Sequence, residues 1–461
     1  MARIAPGHPG FPRVLSLFLL TGLVILAAQP SGFFNFLQPA AHAATIFTVN
    51  STGDGADSNP NDGVCNDGAG NCTLRAAIQQ ANATVGAETI NFSVTGTINL
   101  TGALPNITSD VTINGPGSGL LTVRRDTGGV YRIFNVSSTF ANVNISGLTV
   151  ANGLTADGTP GSFFGGQGSP GGGILNSGVL TLTDVVVTGN STGIGGSGIN
   201  SGDFGGFGGF GGGISSTGTL TMTNCTVTNN TTGKGGDGSF GGPGGLGGGI
   251  QAIGTLNMTH CFVTGNNTGT GNVGSSSSGH GGDGGGIYAG DATTVHTTAL
   301  NLTDTVISGN HTADSGGGNE SGGNGGGIVF EKGTGTLTNC TLSNNTTGKG
   351  TGFSGQGGFG GGIFNDARLT VIGSTISGNS TGSNASNGGG IGGGVANDDT
   401  LTMINSTISG NTTTGVGAAG AGLWNAGTAT LTNCTVAFNS GVADTFGGAG
   451  IHTFNNSHVV T

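Results

Sequence analysis

The chain has 461 residues, of which 104 are Gly and only 7% are charged, with a formal net charge of −11. Ten Lys and Arg over that length leave no basic patch to neutralise phosphates, so a nucleic-acid partner is not expected. So much Gly raises collagen, but along the whole chain Gly shows no strict three-residue period, and a triple helix is rejected.

Residues 1–43 read as a signal peptide. Arg3 and Arg13 supply a positive region, Val14 to Ala28 an apolar run, and Ala41-His42-Ala43 a small-residue cleavage site, with cleavage near Ala28 as the alternative. The run falls short of the ~18–20 apolar residues of a spanning helix, and no second such run follows. The mature chain is therefore expected to be exported, extracellular or on the outer cell surface, without a transmembrane segment.

Residues 44–95 form an N-terminal segment. Thr45 to Asn50 alternates as a short strand, and Asp54 to Gly70 is a polar loop. Within it Asp57, Asn59, Asn61 and Asp62 suggest calcium, the one cofactor in view. The Gly that such a loop needs at its sixth position arrives one place late, as Gly63, so an ordinary polar loop competes. Cys65 and Cys72 lie close together, and in an exported protein a local disulfide is the expected state. Leu74 to Ala83 predicts a helix with Thr73 as N-cap and an apolar face of Leu74, Ala77, Ile78 and Ala81. A short helix here would cover the open end of whatever hydrophobic column follows.

Residues 96–461 are dominated by a repeat. The repeat opens with Gly-Gly-Gly-Ile at Gly171, Gly211 and Gly247, and further copies of the repeat start at Gly284, Gly325, Gly360, Gly392 and Gly420, with a short one at Gly448. Each copy runs into alternating apolar and Thr residues, the period of a strand with one buried face. Aligned copies give columns. Val187, Val227, Val263, Ile307, Leu342, Ile376, Ile408 and Val436 share one; Val185, Cys225, Cys261, Thr305, Cys340, Ser374, Ser406 and Cys434 form a column of small inward residues. Asn190, Asn230, Asn266, Asn310, Asn345, Asn379, Asn411 and Asn439 end their strands as a structural ladder, favoured by the tolerance of Asn for left-handed angles and by amide stacking. A strand this short cannot bury itself alone, but stacked coils can, which predicts an all-β fold: a right-handed parallel β-helix.

Residues of the N-terminal segment carry a family resemblance. Cys65 with Cys72-Thr73-Leu74-Arg75-Ala76-Ala77-Ile78 resembles the CSLREA domain at the start of bacterial exported β-helix proteins, with Thr73 for Ser and Ala76 for Glu. Val111 to Gly117 and Ile145 to Gly153 are similar to the first coils of the same proteins. The Gly-Gly-Gly-Ile copies and the Ile-Ser-Gly-Asn runs, as at Ile307 to Asn310, are similar to the GGAI and FxxN repeats of chlamydial polymorphic outer-membrane proteins. The resemblance implies a pectin-lyase-like fold and export, and says little about activity.

Between coils lie Gly-rich excursions, such as Phe204 to Gly212 and Gly233 to Gly248, expected to project from one flank as a binding surface or to pack over their neighbours. The four repeat cysteines are read as buried small hydrophobes. No His or Cys pair has ligand spacing, so no metal site is expected. The chain ends at His452 to Thr461 partway into a coil, with no C-terminal cap in view, which suggests truncation or cover by another chain.

Chemistry is hard to place. Gly279-His280-Gly281 and Asp398-Asp399 resemble polygalacturonase motifs, but in the wrong order and several coils apart. Glu331-Lys332 reads as a surface ion pair. Two outward Thr columns, one starting at Thr181 and Thr221 and the next at Thr183 and Thr223, suggest an ice- or crystal-binding face. The reading reached from sequence is an exported, non-catalytic structural, adhesive or glycan-contacting protein, whose partner is a surface polysaccharide or another surface protein. The alternative is a polysaccharide lyase or glycoside hydrolase using His280, Asp398 and Asp399.

Overall fold

The computed structural model describes residues 44–290, 298–384, 388–441, 448–454 and 457–460, so the signal-peptide reading of 1–43 lies outside it. The chain is a right-handed parallel β-helix. In the coil that opens at Gly211, strands Ile214–Ser216, Thr219–Thr223 and Thr226–Thr228 form three walls. Each pairs in parallel and in register with its counterparts one coil below and above: Leu220 sits on Leu180 and beneath Leu256, and Val227 on Val187 and beneath Val263. In the second wall the burial alternates strictly, so Leu220 and Met222 are fully inside while Thr219, Thr221 and Thr223 face out.

Corners are made by residues with left-handed backbones. Between second and third walls the column is Asp184, Asn224, His260, Asp304, Asn339, Gly373, Asn405 and Asn433, with φ between 48° and 58°. After the third wall it is Gly189, Asn229, Gly265, Gly309, Asn344, Gly378, Gly410 and Phe438. The ladder asparagines follow this second column and are not themselves left-handed, which corrects the conformational part of the argument for them. They are held by their side chains. Asn230 Nδ2 donates to Asn266 Oδ1 at 3.0 Å and to the Val187 carbonyl at 3.0 Å, and the Asn230 N–H donates to the same Asn266 Oδ1. The pattern runs from Asn190 to Asn439. Buried amides linked this way leave almost no polar group unpaired in the core.

Further ladders lie alongside. The Asn365, Asn397 and Asn425 amides connect at 2.7 and 2.6 Å. A buried Thr column binds the Gly-rich segments at their base: Thr232 Oγ1 donates to the Gly245 carbonyl and accepts the Gly269 N–H of the next coil. In the small-residue column the Cys340 N–H donates to Ser374 Oγ at 2.9 Å. Cys225, Cys261 and Cys340 are buried there as thiols, whereas Cys434, in a coil with little above it among the described residues, is only half-buried. Burial pushes the Cys340 thiol up to about 11 and so keeps it protonated and unreactive.

The Gly-rich excursions are not free loops. Each goes out and returns as two arms, and N–H groups three residues apart bond to the next coil: Gly165 to Phe204, Gly168 to Phe207 and Gly171 to Phe210. The arms of one hairpin bond each other as well, as in Gly206 to Gly196, which in turn bonds Gly166. A local three-residue Gly period therefore does exist within these segments. It builds a hydrogen-bonded lattice of Gly arms rather than a triple helix, and only Gly fits such close approach. A Cβ on Gly206 would stand 2.0 Å from the Gly166 carbonyl oxygen.

Helix α1 spans Leu74–Ala83, and Thr73 caps it by accepting the Ala76 N–H. It packs on the first two strands, Ile46–Val49 and Glu88–Phe92, so Leu74, Ala77, Ile78 and Ala81 close the N-terminal end of the core. Arg75 pairs with Asp54 at 2.8 Å and donates to the Gly102 carbonyl, tying loop, helix and first coil together. Cys65 and Cys72 are joined by a disulfide. The described strands at the other end are Ile451–Thr453 and His458–Val460, which continue the coil.

Candidate functional site

The corner between first and second walls gathers Glu331, Lys332, Asp366, Arg368, Asp398 and Asp399 from three successive coils. Three residues past the Ile or Val that opens each first-wall strand, successive coils place Glu331, Asp366 and Asp398. Glu331 and Asp366 are register partners, and Asp398 continues the line because Asn365 pairs with Asn397 and Arg368 with Thr400. Parallel strands about 4.8 Å apart thus stack three carboxylates along the solenoid axis.

Their titration reflects that crowding. Asp398 is pushed up to about 6, first by the protein around it and then by the Asp366 charge. Asp366 is also raised, by desolvation and by Asp399, with Lys332 opposing. Both keep their tips in water, so these shifts describe a crowded surface rather than buried charges. Glu331 is raised by burial and by the charges of Asp283 and Asp366, against the Tyr288 hydroxyl, which donates to Glu331 Oε2 at 2.6 Å. Asp283 is raised by burial, and His280 works the other way.

Glu331, Asp366 and Asp398 follow coil by coil, whereas His280 lines a different cavity, with Phe240 and Pro243. His280 and Asp398 themselves do not meet. Glu331 does not form the expected ion pair with Lys332; among the described residues the pairs are Arg75–Asp54, Arg124–Asp126 and His260–Asp304. Lys332 instead lines a cavity of about 510 Å³ with Thr298, Thr334, Arg368 and Asp399. Beyond Arg132 the chain has only Lys234, Lys332, Lys349 and Arg368 as basic residues, so finding two of them here marks the corner out.

Of the four calcium candidates, the two carboxylates accept bonds from the chain itself. Asp57 accepts the Asn59 N–H at 2.8 Å, and Asp62 Oδ1 accepts the Val64 N–H and the Gln80 side-chain N–H. Carboxylates turned onto nearby N–H donors in this way make a set of turns. Among the described residues no group of three or more His, Cys, Asp and Glu side chains is placed to hold a metal ion. No helix among them is long and apolar enough to cross a membrane.

The Thr columns lie in register on the outer face of the second wall, Thr181 on Thr221 and Thr336 on Thr370 and Thr402. Asn257 and Asn301 interrupt the first column and bond each other at 2.9 Å. Ile372 and Ile404 interrupt the second.

No protein-family model matches the chain, and no curated protein matches it. Among solved structures, the A-module of mannuronan C-5 epimerase AlgE4 from Azotobacter vinelandii is 15% identical, covering 87% of this chain and 97% of its own, with a TM-score of 0.38. ORF18 of Geobacillus virus E2 is 11% identical over 90% of this chain and 62% of its own, with a TM-score of 0.35. The catalytic unit of a GH87 α-1,3-glucanase from Streptomyces thermodiastaticus is 17% identical over 92% of this chain and 69% of its own, with a TM-score of 0.30. Likenesses this distant enter no argument about function.

Proposed function

We propose that the chain is an exported, glycan-acting β-helix protein that hydrolyses glycosidic bonds at the Glu331–Asp366–Asp398 line. The observation that carries the proposal is the stacking of three carboxylates with raised pKa values on one exposed edge, beside a cavity holding Lys332 and Arg368. Asp398, protonated in mildly acidic solution, donates its proton to the glycosidic oxygen as the C–O bond breaks. Glu331, oriented by Tyr288, takes a proton from the water whose oxygen adds to the anomeric carbon. The two belong to strands two apart, about 9.5 Å at strand spacing, which leaves room for that water and predicts inversion. Asp366 between them keeps the Asp398 proton in place by its charge. With carboxylates outnumbering cations at the corner, and a net charge of −11, neutral glycans are favoured over uronate polymers.

A non-catalytic structural or adhesive role is the second reading. It is supported by the exposure of Asp366 and Asp398, which stand on an open edge rather than in an enclosed cleft. Release of reducing ends from a neutral polysaccharide panel separates the two. Asp398→Asn and Glu331→Gln should each lower the rate by about 100-fold or more. Rates unchanged in both variants, or no product from any substrate, would refute hydrolysis.

A further inference from the structure

The return arms of the Gly hairpins place a side chain at every third residue, and these stack coil upon coil into columns. One column is Phe164, Phe204 and Phe240, capped by Ser277; the next, three residues on, is Gln167, Phe207, Pro243 and His280. Three residues of extended chain span at most about 10 Å, and both columns line one cavity, so they are the walls of a groove. Its floor is bare Gly backbone, and it encloses about 320 Å³. The rings of Phe164 and Phe204 stack at 5.0 Å, and those of Phe204 and Phe240 at 4.5 Å with 16° between planes. Since Phe204 has both faces covered, the groove meets a strip of aromatic edges, which carry the positive rim of the ring quadrupole.

The groove changes character along its length. Beyond Phe240 the wall becomes Ser277, whose hydroxyl donates to Glu320 Oε1 at 2.6 Å, with His280 across from it. No Lys or Arg lines it. We infer that this groove is a glycan-binding subsite, separate from the carboxylate line, that holds a neutral sugar chain along the solenoid axis. The inference rests on the reading above for its ligand class. An apolar wall of ring edges, whose positive rims meet sugar hydroxyl oxygens, with hydrogen-bonding groups gathered at one end, matches a neutral polymer of hydroxyl-bearing rings. Glu320 at that end disfavours an anionic ligand.

The test uses the full mature chain carrying Asp398→Asn, so that bound polymer is not consumed, in affinity electrophoresis against soluble β-glucan, α-glucan, xylan and mannan. At least one should retard it. Phe240→Ala on one wall and His280→Ala on the other should each weaken retardation about fivefold or more, with thermal unfolding checked to show that the lattice still forms. Retardation by none of the polymers, or retardation indifferent to both wall variants, overturns the inference; so does binding of a Pro-rich peptide in place of the glycans. Retention without cleavage by the unmodified chain would remove the hydrolase reading and leave the groove. Cleavage indifferent to the wall variants, without their effect on retention, would do the reverse.

Discussion

Replacing Asn310 by Ala tests what holds the coils in register. Its Oδ1 accepts the Asn266 N–H at 3.0 Å and the Asn266 Nδ2 at 2.9 Å, while its Nδ2 donates to the Val263 carbonyl and to Asn345 Oδ1. The side chain is fully buried. Truncation removes all four bonds and strands the Asn266 N–H in the core, while the Val263 carbonyl keeps its place in the parallel ladder. At about 1–3 kcal/mol for the stranded group, the expected loss is about 2 kcal/mol, less if water enters. Contacts in a solenoid are nearest-neighbour, so the loss should stay local, with hydrogen exchange accelerating at coils on either side of Asn310 before it does so elsewhere. Urea unfolding followed by circular dichroism gives the magnitude, and Asn439→Ala, half-buried in the last coil of the ladder, is the comparison. A cost below about 1 kcal/mol at Asn310, or one no larger than at Asn439, would refute the ladder as the device that sets register.

Other consequences are as open to measurement. Gly206→Ala and Gly236→Ala, whose Cβ atoms would meet backbone oxygens at 2.0 and 2.1 Å, should lower the thermal midpoint sharply, while Gly119→Ala, with nothing within 4 Å, should leave it unchanged. Replacing both Cys65 and Cys72 by Ala opens a short loop with a sequence separation of 7 and should cost about 2.5 kcal/mol by chain entropy, read from the urea midpoint. For Asp398 the folded pKa lies above the unfolded one, so the native state binds the extra proton between them and loses stability as pH rises through about 6. Asp398→Asn should therefore match the parent chain in stability at about pH 3 and equal or exceed it at about pH 7, even as activity falls. The opposite order would mean that Asp398 is held as a charge by partners at this corner.

The walls and ladders were readable in the sequence because each coil repeats its alternation, so columns such as Val187 to Val436 align without any structure. Helix α1 was readable from Thr73 and the spacing of Leu74, Ala77, Ile78 and Ala81. The Gly lattice was not, because its three-residue spacing lives only inside hairpins of unequal length and disappears when Gly is counted over the whole chain. The same unequal lengths hid the carboxylate line: Glu331 and Asp366 are 35 residues apart, Asp366 and Asp398 are 32. A signal was present all the same, since all three stand three residues after the aliphatic residue that opens their coil. The motif likeness picks out Asp398, one member of the column, but joins it to His280, which belongs to the groove wall, and reads Glu331 as the partner of Lys332 rather than of Asp366.

The most direct test of the proposed chemistry is digestion of a neutral polysaccharide in water labelled with heavy oxygen, followed by mass spectrometry of the products. Hydrolysis at the Glu331–Asp366–Asp398 line predicts shortened chains carrying one heavy oxygen at each new reducing end, and their disappearance in Asp398→Asn. Unsaturated ends without label, or intact polymer after prolonged incubation with folded protein, would contradict it.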